Sequence, residues 1–417
     1  MPAPRMTAWA AAFCLALPLN LAAAERTDAH TDTLTPDTGL HLQQVIEAAI
    51  SRHPDRDLPQ SVTREAQALS RRGEALLAAP PAAAVTAYTD RPTDNRGATE
   101  IEAGLELPLW RPGERTAARD LARHTGAEAE AGQQAFALTV AGEIRAALWD
   151  LTLARTRLQL ARATLADAEK RVTAVAKRVE QGDLAQADLL LARNDLLIQR
   201  RRRVEAETEF MHAQRSYRIL TGLDRYPQAF TEQRADQAAI TAGHPLLEVY
   251  RDRITRARDA TRAARLEAAG RPTLFAGSRR DRGGRNEPYN DSIAVGIKLP
   301  FGGSAHRDAA AASAAREVAD LQAERDRRQR ELQTRLHEID HRIEQLAESL
   351  PLAEEQSHIA ERQLEMSELA FVHNEMDLID LLRLRTSARE AQQAVAEIRI
   401  EQQRAVALYN QTVGVMP

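Results

Sequence analysis

Thr99-Glu100-Ile101-Glu102-Ala103-Gly104-Leu105-Glu106-Leu107-Pro108-Leu109-Trp110 and Ser292-Ile293-Ala294-Val295-Gly296-Ile297-Lys298-Leu299-Pro300-Phe301 are the two stretches on which the fold turns. In the first, Ile101, Ala103, Leu105, Leu107 and Leu109 alternate with Glu100, Glu102, Gly104 and Glu106, which makes a strand with one greasy and one acidic face. The second puts Ile293, Val295, Ile297, Leu299 and Phe301 on one side, with Ser292, Ala294, Gly296 and Lys298 on the other. Each is preceded by a shorter alternating segment and a polar turn, so each completes a hairpin. Two isolated hairpins do not make an independently stable sheet, and these require further strands.

The two Leu-Pro pairs stand 192 residues apart, and so do Pro80 and Pro272, Asp188-Leu189-Leu190 and Asp380-Leu381-Leu382, Tyr217 and Tyr409, and Gly222 and Gly414. His53-Pro54 and His244-Pro245 match at 191. A colinear series of this kind marks a tandem duplication, with repeats at 25–223 and 224–417. The first repeat is expected to hold helices over 58–79, 113–181 and 184–221 and strands over 82–89 and 99–109. The second is expected to hold helices over 245–270, 304–373 and 377–412 and strands over 273–279 and 292–301. The long helices carry heptad seams, Ile144, Leu151 and Leu158 beside Val140, Ala147 and Ala154 in the first, Leu336 and Ile343 beside Leu332, Ile339 and Leu346 in the second. Pro351 is expected to kink the second. A helix of this length is a rod of about 100 Å, beyond any single compact core.

Composition agrees, since 28% of residues are charged and only 4% aromatic, which suits long solvated helices. A net charge of -4 with interspersed signs offers no field for nucleic acid. Arg5, an apolar run from Ala8 to Leu21 and Ala22-Ala23-Ala24 before Glu25 read as a secretory signal at 1–24, cleaved between Ala24 and Glu25. The single cysteine, Cys14, lies inside that run, so no disulfide or thiolate ligand is expected in the mature chain; lipidation at Cys14 is disfavoured by bulky Phe13. Beyond the signal no apolar run reaches the roughly 20 residues of a spanning helix, so a membrane crossing would use strands.

Three motifs invite enzymatic or nucleic-acid readings. His337-Glu338-Ile339-Asp340-His341 fits the zinc-protease pattern, yet its histidines fall outside the heptad seam and no third ligand follows. Arg200 to Arg203 is read as a solvated helix face, and Gly283-Gly284 lacks the helix that a phosphate cradle needs. No catalytic group, cofactor site or resident metal site is expected.

The duplicated Leu107-Pro108-Leu109-Trp110 and Leu299-Pro300-Phe301 with Arg115 and Arg307 following, the turn from Gln181 to Leu190, and Tyr217-Arg218-Ile219-Leu220-Thr221-Gly222 together resemble the TolC-like outer-membrane efflux channels. The resemblance covers almost the whole mature chain. It implies a mainly helical homotrimer in which each protomer gives four strands to a twelve-stranded β-barrel in outer-membrane lipid, continued across the periplasm by a coiled-coil α-barrel. It further implies a periplasmic adaptor and an inner-membrane pump of the resistance-nodulation-division type. By that resemblance the entrance and adaptor contact fall at Gly182, Asp183, Asn374 and Glu375, and the constriction at Asp188, Asp380 and Phe371, Asn374 replacing the usual glycine and Phe371 a gating tyrosine. The two aspartates also read as ordinary helix-start residues. Glu100, Glu102, Glu106 and Lys298 are expected in the barrel lumen, and Tyr88, Trp110, Tyr289 and Phe301 at the membrane interfaces. General likeness points to the heavy-metal cation branch, with cobalt, nickel, zinc or cadmium as cargo; organic drugs, secreted protein, or a soluble coiled-coil adaptor are the alternatives.

Overall fold

The computed structural model describes residues 33–417. The expected leader at 1–24, its cleavage point at Ala24 and Glu25, and Cys14 lie outside the described residues. The first half lays down β1 (Thr35–Asp37), α1 (Leu42–Arg52), α2 (Asp57–Glu74), β2 (Ala82–Thr89), β3 (Thr99–Pro108), α3 (Glu114–Glu180) and α4 (Gln186–Thr221). The second gives β4 (Arg225–Pro227), α5 (Pro245–Glu267), β5 (Thr273–Arg282), β6 (Asn290–Lys298), α6 (Ser304–Val372) and α7 (Leu378–Val413). Residues 228–244, which follow β4 as α1 follows β1, run as irregular chain.

The hairpins pair with each other. β3 lies antiparallel to β5, giving one four-stranded sheet in the order β2-β3-β5-β6 and leaving β2 and β6 as its edges. β5 runs on to Arg282, past the 279 expected, because Arg279 to Arg282 continue the ladder opposite Glu102 to Thr99.

Away from the sheet the structure is helical. α3 packs on α2 and α5 near the sheet and on α4 and α7 farther along, whereas α6 packs mainly on α5 and α7. The largest core lies midway, where Val45, Ile46 and Ala49 of α1 meet Val140, Ala141, Ile144 and Leu148 of α3 and Tyr217 of α4. β1 and β4, paired in parallel, border it through Leu34 and Tyr226. Along α3 the seam positions Val140, Ile144, Ala147, Leu151, Ala154 and Leu158 are buried, the work of the heptad pattern. α4 and α7 stop at Gly222 and Gly414, both left-handed with φ 70 and 88, and a Cβ at Gly414 would fall 2.9 Å from His244. α6 remains helical through Pro351, which has no N–H for the preceding turn. One turn earlier the Gln402 side chain donates to the Leu346 carbonyl at 3.1 Å, tying that part of α6 to α7.

Candidate functional site

Sheet register assigns every strand residue to a face. Val85, Ile101, Ala103, Leu105, Leu107, Leu274, Ala276, Ile293, Val295 and Ile297 share one side, which is apolar apart from Ser278 and, near the hairpin ends, the Arg280–Asp291 pair and Thr89, Thr99 and Arg282. Ile293 is 87% exposed and Val295 72%, so this greasy face has no cover among the described residues. Arg280 meets Asp291 through two bonds of 2.6 and 2.7 Å, and that pairing is what lets both charges sit on the apolar side.

The opposite face carries Glu100, Glu102, Glu106 and Lys298, together with Arg279 and Asp281. Arg279 bonds Glu100 at 2.9 Å and lies opposite Glu102 in register, a partner that the sequence reading did not identify. The acidic face is therefore partly neutralised at one level. Gly104 and Gly277 face each other across β3 and β5, and the Phe275 ring occupies the space a Cβ at Gly104 would take, 2.6 Å away.

The four expected interface aromatics divide. Tyr88 pairs with Glu100 near the hairpin end and shares the acidic face, while the period-2 alternation of β2 puts Val85 and Ala87 on the apolar side. Tyr289 stands at the start of β6 with the Arg282 guanidinium 4.8 Å from its ring centre. Phe301 is 98% exposed just beyond β6. Trp110 is tied down, its indole N–H donating to the Ala75 carbonyl at 3.0 Å.

That bond belongs to the junction between sheet and helices. The last carbonyls of α2 are capped by Arg115, which donates to Gly73 and Glu74 at 3.1 and 2.9 Å, and by Arg119 to Gly73 at 3.2 Å. Arg111 does the same beyond α5, reaching Ala269 and Gly270 at 2.9 and 3.0 Å. Helix C-termini present unsatisfied carbonyls and negative dipole ends, so arginines there fix how the rods leave the sheet. Buried Glu114 holds Arg271 at 2.6 Å in the same junction.

At the far end both helical hairpins turn alike. Gly182 has φ 81 and Asn374 φ 60, and in each turn the next N–H reaches back five residues, Asp183 to Arg178 at 2.9 Å and Glu375 to Ala370 at 2.8 Å. Asparagine thus builds the turn where glycine was expected, since its short side chain tolerates the left-handed region. Behind the turns Val175, Leu189, Ala192, Leu378 and Leu381 form one small core flanked by Val179, Leu184, Phe371 and Met376, so the two tips are packed together. Asp188 accepts the Ala185 N–H at 3.1 Å, and Asp380 pairs with Arg383 at 3.1 Å. The residue sequence reasoning missed is Arg178. It donates to the Phe371 carbonyl at 3.2 Å and to the Asn374 side chain, and it sits 4.9 Å over the Phe371 ring, bridging the end of α3 to the end of α6. The heptad pattern marks only positions 172, 175 and 179 there, so nothing in it distinguishes Arg178 from other surface arginines.

Among the described residues no three His, Cys, Asp or Glu side chains gather where they could hold a metal ion, and no helix is long and apolar enough to cross a membrane. His337 and His341 are exposed on α6, where a protease would need an enclosed cleft.

A half-open strand sheet, duplicated helical hairpins and a packed double tip make up one elongated fold, part strand and part helix. The fold is shared with the Campylobacter jejuni CmeC outer membrane channel, at 15% identity over 89% of this chain and 85% of that one, TM-score 0.72. It is shared likewise with the outer membrane protein VceC of Vibrio cholerae, at 16% identity over 90% and 96%, TM-score 0.72, and with CusC, at 16% over 94% and 96%, TM-score 0.72. No curated protein matches by sequence. Residues 54–223, nearly the whole first repeat, match the family model described as Outer membrane efflux protein. Within residues 54–223 the chain resembles the outer membrane efflux proteins, a family of channels, and the likeness to the solved structures extends the shared fold over nearly the whole chain.

Proposed function

We propose that the protein is the outer-membrane exit duct of a tripartite efflux system, working as a homotrimer with a periplasmic adaptor and an inner-membrane pump of the resistance-nodulation-division type. The observation that carries this reading is the four-stranded sheet with an uncovered apolar face and two unpaired edges, β2 and β6. A protomer alone exposes both rims and the greasy face to water. Closure with sister copies pairs the rims, and lipid covers the apolar face. The chain is then passive, its helices leading into the periplasm and its tips, around Gly182, Asp183, Asn374 and Glu375, serving as entrance and adaptor contact. Opening requires relaxing the core behind those tips, which Arg178 bridges across Phe371 and Asn374.

For cargo we propose divalent heavy-metal cations. The face opposite the lipid side is acidic on balance, Glu100, Glu102, Glu106 and Asp281 against Arg279 and Lys298, which favours cations in transit. A deletion strain tested against cobalt, nickel, zinc, cadmium and an organic drug panel checks it: sensitivity confined to metals is expected, and sensitivity confined to drugs would overturn it. For the duct itself, membrane extraction decides. The protein should leave the envelope only with detergent and run as a trimer, whereas a monodisperse monomer in plain buffer would end the proposal.

A further inference from the structure

α3 and α6 are duplicates with unequal surroundings. α3 is flanked along its lower half by α7, joined to it by Arg404 to Asp150 at 3.0 Å and Arg157 to Glu397 at 2.8 Å, while Arg145 meets Glu232 of the irregular stretch after β4 at 2.6 Å. Arg145 and Trp149 are consequently buried, at 2% and 4% exposure, the indole against Phe230. The same flank of α6 is bare among the described residues. Its positions 192 residues on are His337 and His341, both exposed, with rings edge to face and centroids 4.4 Å apart.

If copies of the chain close into a ring, the repeat relation dictates what covers this flank. α3 meets α7 of its own chain, so α6 meets the duplicate of α7, which is α4, in the adjoining copy. Position 411, which bonds Arg145 at 2.6 Å, maps to Ile219, 64% exposed on α4. Glu232, which neutralises Arg145, maps through the 191 spacing of the His-Pro pairs to His41, the exposed residue that opens α1. Thus an arginine–glutamate pair inside the chain corresponds to histidine facing histidine between copies, with the tryptophan position replaced by a second imidazole. Arg404 maps to His212, which would face Arg342, the counterpart of Asp150, and so stands outside the group.

We propose that His337 and His341 of one copy and His41 of the adjoining copy form a binding site for a borderline-soft divalent cation such as zinc or nickel, one at each junction between copies. The inference rests on the ring assembly proposed above. Imidazoles at i and i+4 on a helix present their nitrogens to one point, the bidentate half of such a site. Glu344 lies 3.3 Å from His341 Nδ1, placed to fix the ring so that Nε2 faces outward. The third ligand comes only with assembly, so the metal binds the closed ring better than the free chain and strengthens the junction by mass action. The site is structural, set in the wall between copies.

The test uses full-length protein in detergent. Light scattering in EDTA reports the assembly, and equilibrium dialysis with zinc(II) reports the site. A trimer taking up one zinc per chain is expected. His337→Ala and His341→Ala should abolish that uptake, His41→Ala should weaken it at least about tenfold, and His212→Ala should leave it unchanged. Zinc should also raise the urea concentration that splits the wild-type trimer but not that of H41A. A monomer in EDTA removes the channel reading and this one with it. A trimer that takes up no zinc, or in which H41A titrates like wild type, overturns this inference alone.

Discussion

His244 uses both ring nitrogens in one protonation state. Nδ1 accepts the Leu246 N–H at 3.1 Å and caps α5, while Nε2–H donates to the Thr412 carbonyl at 3.1 Å and holds the end of α7. Burial pushes its pKa below the ordinary imidazole value, the Thr412 bond opposing only in part. A second proton would also set an N–H against the Leu246 N–H. Because the folded pKa lies below the unfolded one, the unfolded chain binds more protons as pH falls, and stability is lost from about pH 6.5 downward. The urea midpoint is expected to drop between about pH 7 and 5, and in His244→Asn that acid-dependent loss should shrink while stability at neutral pH also falls. Arg171 poses the opposite problem. It is buried between α3, α4 and α7, and burial with Arg385 and Arg389 nearby pushes its pKa down to about 10. Its carboxylate partner is Asp195, at 3.1 Å. Asp195→Asn leaves a buried cation unpaired and should cost about 3–5 kcal/mol in denaturant melts, more than Asp380→Asn, whose carboxylate is exposed.

Among the elements, those with a strict period were legible in the sequence. β3 and β6 announce themselves by alternation, and α3 by its heptad seam, because one-sided burial forces those periods on the chain. α1 was not anticipated: its eleven residues carry no period long enough to stand out, and its counterpart stretch, 228–244, is not helical, so the repeat gave no help. The β3–β5 pairing was also invisible, since register between distant strands depends on how the helices between them are packed. At the candidate site, the face of Glu100, Glu102 and Glu106 followed from alternation, and the turns at Gly182 and Asn374 from the resemblance. Arg279 and Arg178 did not, because each acquires its meaning from a partner 179 or more residues away. Arg178 carries a prediction at this scale. Arg178→Ala removes the bridge between the end of α3 and the second turn while leaving Val175, Leu189 and Leu381 in place. Trimer yield should be unchanged, mean single-channel conductance in planar bilayers should rise, and Arg178→Lys should recover part of the closed behaviour; unaltered conductance would remove Arg178 from the gate.

For the molecule as a whole, the proposed ring multiplies the charge pattern of one sheet face around a lumen. The overall charge of -4 is small and spread along the helices, so selectivity depends on what lines the pore and not on the total. Glu100 is engaged by Arg279 and contributes a paired charge. Glu102 and Glu106 have no salt-bridge partner among the described residues and supply the unbalanced field. Threefold repetition brings six such carboxylates into one aqueous tube, where like charges raise the local cation concentration over about a Debye length, roughly 10 Å at 0.1 M salt. Double replacement Glu102→Lys with Glu106→Lys should therefore shift the reversal potential in a KCl gradient from cation-preferring toward anion-preferring, and 1 M salt should mute the difference. The paired position offers the control: Glu100→Gln frees Arg279 and should move the potential the same way but less, because it removes one carboxylate per chain and reverses none. A reversal potential indifferent to Glu102 and Glu106 would mean that this face does not line the conducting path, and would turn the sheet inside out relative to the proposed barrel.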